Sequence, residues 1–101
     1  MKSFRSYQLA RSLYRDVIAI ELPRPLGDQL RLAAASCALT LAEGYGRTSV
    51  ADQRRFFVMA LGSIREVQAI FDLACDRFTD SHRDHLDHLA ASVWRLVHRP
   101  R

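Results

Sequence analysis

Apolar side chains recur every three or four residues along most of this chain, and polar side chains fill the positions between them. That spacing is the period of an amphipathic α-helix, and no stretch alternates apolar and polar residues as a strand does. The pattern predicts helices at about 5–22, 26–43, 50–78 and 82–98. Their short connections are typical of an antiparallel up-and-down four-helix bundle. A chain of 101 residues holds one hydrophobic core, so we expect an all-α fold with residues 1–101 as a single domain.

The second and third predicted helices carry apolar residues on more than one face. A bundle of this size buries one stripe of each helix, so a second stripe exceeds what the core of a single chain needs. Surplus apolar surface is typical of proteins that self-associate. The residues of these second stripes are Leu32, Leu39, Phe56, Met59, Ser63, Glu66, Ile70 and Leu73. We therefore predict a homo-oligomer, in which Glu66 pairs with an arginine if the stripe is buried.

The segment AEGYGRTSVADQRRF between the second and third helices holds two glycines, which raises the question of a phosphate-binding loop. Such a loop needs a strand before the glycines and a fixed glycine spacing, because backbone N–H groups must converge on the ligand. This segment follows a helix and lacks the third glycine. A corner between two helices accounts for its residue types better, so we assign no catalytic or cofactor-binding role to it.

The predicted corner consists of Glu43, Gly44, Gly46, Arg47, Ser49 and Asp52. Gly44 would take the left-handed position that often ends a helix, and Gly46 would complete the reversal. Ser49 would cap the third helix, with the charge of Asp52 near the positive end of the helix dipole. Glu43 and Arg47 would then form an ion pair across the corner.

The net positive charge of the chain favours an acidic partner. The formal net charge is +4, the pI is about 9.7, and 14 of the 15 basic residues are arginine. Arginine binds phosphate through two parallel donors and stacks on bases, which suits nucleic acid. Arg11 and Arg15 are one helical turn apart and would face the same phosphate track. The candidate nucleic-acid-binding residues are Arg5, Arg11, Arg15, Arg47, Arg54 and Arg55.

Metal and catalytic sites find little support in the sequence. His82, His85 and His88 recur every three residues, but positions at that spacing drift around a helix and would not meet at one ion. No serine or cysteine is accompanied by the base and oxyanion donors that an activated nucleophile needs. We predict no metal, no cofactor and no enzymatic activity.

Membrane and secretory features are also missing from the pattern. The longest uncharged stretch, Leu32–Ala42, is about half as long as a membrane-spanning helix. Arginines interrupt the apolar residues of the N-terminal segment, unlike those of a signal peptide. We therefore expect a cytoplasmic protein without membrane contact. Cys37 and Cys75 lie on apolar stripes without metal-type spacing, and we expect both to be buried free thiols.

Four short motifs occur in a fixed order along the first three predicted helices. They are YQLA at Tyr7–Ala10, AEGYGR at Ala42–Arg47, S-x-x-D-x-x-R-F at Ser49–Phe56 and A-x-G-S-x-x-E at Ala60–Glu66. In this order they resemble the four-helix bundle protein family first noticed in open reading frames within intervening sequences of bacterial large-subunit ribosomal RNA genes. That family is similar to the accessory variability determinant of diversity-generating retroelements. The resemblance covers about two-thirds of the chain.

The resemblance implies a bacterial homopentamer, in which up-and-down bundles form a ring around a central channel, without known enzymatic activity. Gly62, Ser63 and Glu66 would lie where the long helix packs closely against a neighbour. For the retroelement relatives the resemblance further implies a basic, barrel-like oligomer that binds RNA or DNA and a partner reverse transcriptase.

Together these observations favour a non-enzymatic, oligomeric adaptor or scaffold that binds nucleic acid, a nucleic-acid enzyme such as a reverse transcriptase, or both through basic surfaces. The alternative is a structural self-assembling module that binds protein only. A reverse transcriptase gene beside the gene for this chain would favour the first function.

Overall fold

The computed structural model describes residues 4–99 and contains four α-helices. They are α1 (Arg5–Val17), α2 (Arg24–Tyr45), α3 (Val50–Leu73) and α4 (Asp80–His98), and a 3-10 turn at Cys75–Arg77 lies between the last two. No strand occurs between residues 4 and 99, which confirms the all-α prediction. None of these four helices has both the length and the apolar character that crossing a bilayer requires.

The connection between α1 and α2 is longer than the sequence pattern predicted. Helix α1 ends at Val17 rather than near residue 22, because Ile20 and Leu22 pack against the core from an irregular segment beyond the helix. Helix α2 begins at Arg24, where Pro25 fits the first turn. Proline lacks the backbone N–H, and the first turn has no intrahelical acceptor for it, so its position there is favourable.

Helix α3 is shorter than predicted. It ends at Leu73 rather than near residue 78, and the 3-10 turn follows. Beyond that turn, the ring of Phe78 stacks on that of Phe71, with centroids 3.9 Å apart and planes inclined by 14°. The chain must leave the helix for these two rings to lie face to face, so packing of Phe78 sets the end of α3.

The start of α4 is fixed by two reciprocal hydrogen bonds. The hydroxyl of Thr79 accepts from the His82 N–H at 3.1 Å, and Nδ1 of His82 accepts from the Thr79 N–H at 3.0 Å. This capping box satisfies two donors that would otherwise lack partners. Helix α4 therefore begins at Asp80, earlier than the predicted residue 82.

All four helices contribute to one continuous apolar core. Leu13, Leu41, Ile64 and Leu89 are each at most 1% exposed. Burying a side chain of this size contributes about 1.5–3 kcal/mol. Within residues 4–99, every buried side-chain nitrogen or oxygen has a hydrogen-bond partner. The core therefore has no orphaned polar group that would point to an enclosed ligand.

One group of contacts identifies an end of the bundle, which we call the corner end. The ring centroid of Tyr45 lies 4.9 Å from that of Phe4 and 5.3 Å from that of Phe57. Nearby, the Oγ atoms of Ser6 and Ser92 are 2.5 Å apart in a buried hydrogen bond. These contacts bring the first residues of α1 and α3 beside the last residues of α2 and α4.

A second group of contacts lies at the opposite end. Nδ1 of His85 is 2.6 Å from Oδ2 of Asp16, which joins the start of α4 to the end of α1. The guanidinium of Arg77 donates to the carbonyl of Glu21 at 2.6 Å, which joins the 3-10 turn to the segment after α1. The molecule measures 41 Å along its longest axis, so the two ends are well separated.

Candidate functional site

The corner between α2 and α3 is held by local polar contacts. Arg47 and Glu43 form an ion pair of 2.5 Å, and the Gln53 side chain donates to the Arg47 carbonyl at 3.0 Å. The hydroxyl of Ser49 accepts from the Asp52 N–H at 3.1 Å and so caps α3. These contacts use the side chains for structure and leave no converging set of free backbone donors such as a phosphate loop requires.

The two corner glycines play roles that differ from the predicted ones. Helix α2 continues through Gly44 to Tyr45, and no described residue has a positive φ, so the predicted left-handed conformation of Gly44 is wrong. Gly44 is required by packing instead, since a Cβ there would lie 2.7 Å from Cε1 of Phe57. Gly46 ends α2 with φ of −83°, and its N–H donates to the Glu43 carbonyl at 3.1 Å.

Two of the candidate arginines are engaged around one aromatic ring. The guanidinium carbons of Arg47 and Arg55 each lie 4.6 Å from the centroid of Phe56. Asp52 accepts from Arg55 at 3.0 Å and lies 4.0 Å from Arg47. These cations therefore have both an aromatic and an anionic partner, which reduces the charge they offer to a ligand.

The arginines of α1 differ from the corner arginines in their ion pairing. Arg5, Arg11 and Arg15 are exposed, and none forms an ion pair with a residue between 4 and 99. The nearest acidic residue in sequence, Asp16, is paired with His85. The guanidinium of Arg54, on α3, donates to the carbonyl of Arg99 at 2.8 Å. Among the candidates, the α1 arginines and Arg54 therefore have no anionic partner within residues 4–99, although the guanidinium of Arg54 is held by a carbonyl.

The structure adds two basic residues that the sequence analysis missed. Arg95, in the last turn of α4, and Arg99, which directly follows that helix, line a surface cleft of about 330 Å³ together with Arg5, Tyr45 and Ser92. No sequence spacing connects the start of α1 with the end of α4. The cleft forms because tertiary packing, seen in the buried Ser6–Ser92 contact, brings these ends together.

Charge is distributed unevenly along the long axis. Among residues 4–99, the basic residues near the corner end are Arg5, Arg47, Arg54, Arg55, Arg95 and Arg99, and the acidic ones are Glu43 and Asp52. The half that holds the opposite end carries eight acidic residues and only five basic ones; the acidic residues are Asp16, Glu21, Asp28, Asp72, Asp76, Asp80, Asp84 and Asp87, and the basic residues are Arg15, Arg24, Arg31, Arg77 and Arg83. The corner end is therefore the positive pole of the molecule, and it is where a polyanion would be attracted.

A second feature is an apolar stripe along the outside of α2 and α3. Leu32, Leu39 and Leu73 are 72%, 69% and 74% exposed, and Met59 is 51% exposed. Leu32 and Leu39 are seven residues apart and so lie on one face of α2. The same spacing places Met59, Glu66 and Leu73 on one face of α3. We call these five residues the outer stripe.

The parts of the outer stripe on α2 and on α3 lie next to each other. Ser63 donates to the Ser36 hydroxyl at 3.4 Å, which places the two faces side by side across the α2–α3 contact. Two residues predicted for the interface, Phe56 and Ile70, are 8% and 2% exposed and belong to the protomer's own packing. Gly62 is exposed, and a Cβ there would meet nothing within 4 Å, so no close approach within the described chain requires this glycine.

The three histidines of α4 have separate environments. His82 belongs to the capping box, His85 contacts Asp16, and His88 is exposed. Within residues 4–99, no group of three or more histidine, cysteine, aspartate or glutamate side chains is arranged to hold a metal ion. Glu66 is exposed and forms no ion pair with a described residue.

The two cysteines differ in exposure. Cys37 is buried in the core, and burial raises the pKa of its thiol to about 12. Cys75 lies in the 3-10 turn and is exposed, so the prediction that both thiols are buried is wrong for Cys75. The reason is the early end of α3, since residue 75 no longer continues the apolar stripe of that helix.

This difference predicts selective alkylation. Iodoacetamide at neutral pH is expected to modify one thiol per chain in the native protein and two in denaturant, because the thiolate is the reactive species and Cys37 is both buried and protonated. Intact mass spectrometry measures the number of adducts. The Cys75→Ser variant should take up none when native and one when unfolded. Modification of that native variant would contradict the assignment.

Comparison with known proteins adds one finding. A family model described as the 23S rRNA-intervening sequence protein matches residues 2–97. The match therefore includes α4, which the sequence motifs described above do not reach. A search of the curated proteins finds no match.

Proposed function

Because the chain belongs to the 23S rRNA-intervening sequence protein family, we propose that it is a non-enzymatic, homo-oligomeric adaptor that binds nucleic acid at its corner end. We infer that its helices run up and down in antiparallel order, since the buried Ser6–Ser92 contact and the Asp16–His85 contact join opposite ends of α1 and α4. A nucleic-acid enzyme such as a reverse transcriptase is the protein partner that fits this function.

The outer stripe supports assembly. It presents three leucines, each at least 69% exposed, on the two helices that pack most extensively against each other. Isolated apolar side chains on a surface are ordinary, but an aligned set is typical of an interface. Glu66 lies within the stripe, so a cation from a neighbouring protomer would satisfy its charge on assembly. We propose a closed ring of about five copies, in which the stripe of one protomer packs against the next.

The observation that carries nucleic-acid binding is the set of exposed arginines without acidic partners. Arg5, Arg95 and Arg99 line one cleft at the corner end, and none forms an ion pair with a described residue. Unpaired guanidinium groups on a surface keep their attraction for phosphate, whereas paired ones must first release a carboxylate. A ring would repeat this cleft in every protomer, and several weak contacts along one strand would then act together.

Light scattering coupled to size exclusion tests this function. The protein alone is expected to elute as an oligomer, and a mixed-length RNA pool should raise its mass at about 50 mM salt but not at about 300 mM, because phosphate contacts release counterions. The charge-reversal variant Arg5→Glu should lose most of the mass gain, while Arg31→Glu, whose guanidinium is paired with Asp28 away from the corner end, should keep it.

The remaining outcomes of this experiment overturn one part of the proposal each. The same run is repeated with a pool of single-stranded DNA, and an oligomer whose mass is indifferent to both pools at low salt would reject nucleic-acid binding and leave a module that binds protein only. A monomer under all conditions would reject the assembly.

A further inference from the structure

An exposed aromatic pair lies beside the basic cleft on the last turns of α4. The rings of Trp94 and His98 stack with centroids 4.0 Å apart and planes inclined by 22°. Nδ1 of His98 is 2.9 Å from the carbonyl of Trp94. A carbonyl only accepts, so Nδ1 carries the proton in this contact, and the bond holds the histidine ring over the indole. Trp94 nevertheless remains 49% exposed.

Folding alone does not account for this pair. Core positions of α4 are taken by Leu86, Leu89 and Val93, each at most 3% exposed. An indole left half exposed keeps a large apolar surface in water, at a cost that its burial would remove. The histidine covers part of that surface and extends the planar area. A preformed, exposed stack of two rings is suited to accept a third ring.

The aromatic pair and the basic cleft are continuous. A shallow depression of about 360 Å³ is lined by Trp94, Arg95, His98 and Arg99. Arg95 and Arg99 also line the adjoining cleft with Arg5. A planar surface for a base therefore lies directly beside guanidinium groups that suit phosphate.

We propose that this combined surface binds single-stranded nucleic acid, with a nucleobase stacked on the Trp94–His98 pair and the flanking phosphates bound by Arg5, Arg95 and Arg99. Proteins that bind single strands combine a basic groove with aromatic side chains, and stacking tolerates any base because every base has a π-face. A duplex keeps its bases stacked inside and presents no free base face to the aromatic pair, so single strands should be preferred. This inference rests on the nucleic-acid binding proposed above and names its ligand class.

Tryptophan fluorescence gives a direct test, because Trp94 is the only tryptophan of the chain. An unstructured oligouridylate of about ten nucleotides is expected to quench its emission on binding. An abasic strand of the same length carries the same phosphates without bases, so it should bind more weakly and leave the emission nearly unchanged.

Affinity measured by anisotropy of the labelled strands tests the role of stacking. The Trp94→Ala variant should bind oligouridylate about 5- to 150-fold more weakly, which is the range typical of losing one stacked base, with unchanged affinity for the abasic strand. The Trp94→Phe variant retains an aromatic face and should recover most of the loss. The Ile18→Ala variant removes another exposed apolar side chain, remote from the corner end, and should match the unmodified protein.

The outcomes separate the two proposals. If the unmodified protein binds neither strand, nucleic-acid binding itself is rejected. If it binds both strands equally, and Trp94→Ala does not change the affinity for oligouridylate, then nucleic-acid binding stands and the stacking surface is rejected. An RNA duplex of the same length serves as a third probe, and quenching by it equal to that by oligouridylate would also reject the ligand class.

Discussion

Replacing Gly44 by alanine is expected to lower the free energy of unfolding by about 1–3 kcal/mol, and replacing it by valine by more. The Cβ of either residue would lie 2.7 Å from Cε1 of Phe57 and 3.1 Å from Cβ of Phe56. Phe57 is 2% exposed and packs on Tyr45, so its ring has no free space to move into. In an open helix the same change would instead gain about 1 kcal/mol of helix propensity.

Urea unfolding followed by circular dichroism measures this effect, and the chain supplies a control two residues away. Gly46 has φ of −83°, and its Cβ would approach no atom more closely than 3.4 Å. The Gly46→Ala variant is therefore expected to change the unfolding free energy by less than about 0.5 kcal/mol. A Gly44→Ala variant as stable as the unmodified protein would show that α2 and α3 do not approach each other as closely as described.

Gly44 also shows where sequence reasoning succeeded and where it could not. Four helices follow from the apolar period, and the core residues on each helix follow with them, because burial of one stripe is a local property of the sequence. A glycine near a helix end has two physical explanations, a left-handed turn or a close contact with another element. Sequence alone favours the turn, since the contact depends on where Phe57 of the next helix lies.

The candidate site was also predictable from the sequence only in part. Exposure of Arg11 and Arg15 was predictable from the polar face of α1. The roles of Arg95, Arg99 and Trp94 in the site were not predictable. They depend on the packing that places the end of α4 beside the start of α1. The engagement of the corner arginines with Phe56 is local instead, because all the residues involved lie between positions 47 and 56, and the acidic residue between the arginines was visible in the sequence.

The double substitution Leu32→Glu and Leu39→Glu is expected to convert the proposed oligomer to single chains. Both side chains lie on the outer stripe and are about 70% exposed in the protomer, so the change should leave the fold intact. In an assembled interface each new carboxylate would be buried without a partner, which costs several kcal/mol, and Glu66 on the same stripe adds like-charge repulsion. The assembly constant should therefore fall at least about 1,000-fold.

Mass from light scattering and helicity from circular dichroism together decide this prediction. Ile18→Glu is the matched control, because Ile18 is a 44% exposed apolar residue away from the outer stripe, and its substitution should keep the oligomer. Unchanged mass in the double variant, with helicity retained, would show that the outer stripe is not the interface. Loss of mass in both variants would show a general effect of added charge. A loss confined to the double variant would place the contact between copies on the α2 part of the outer stripe, and leave the corner end free for nucleic acid.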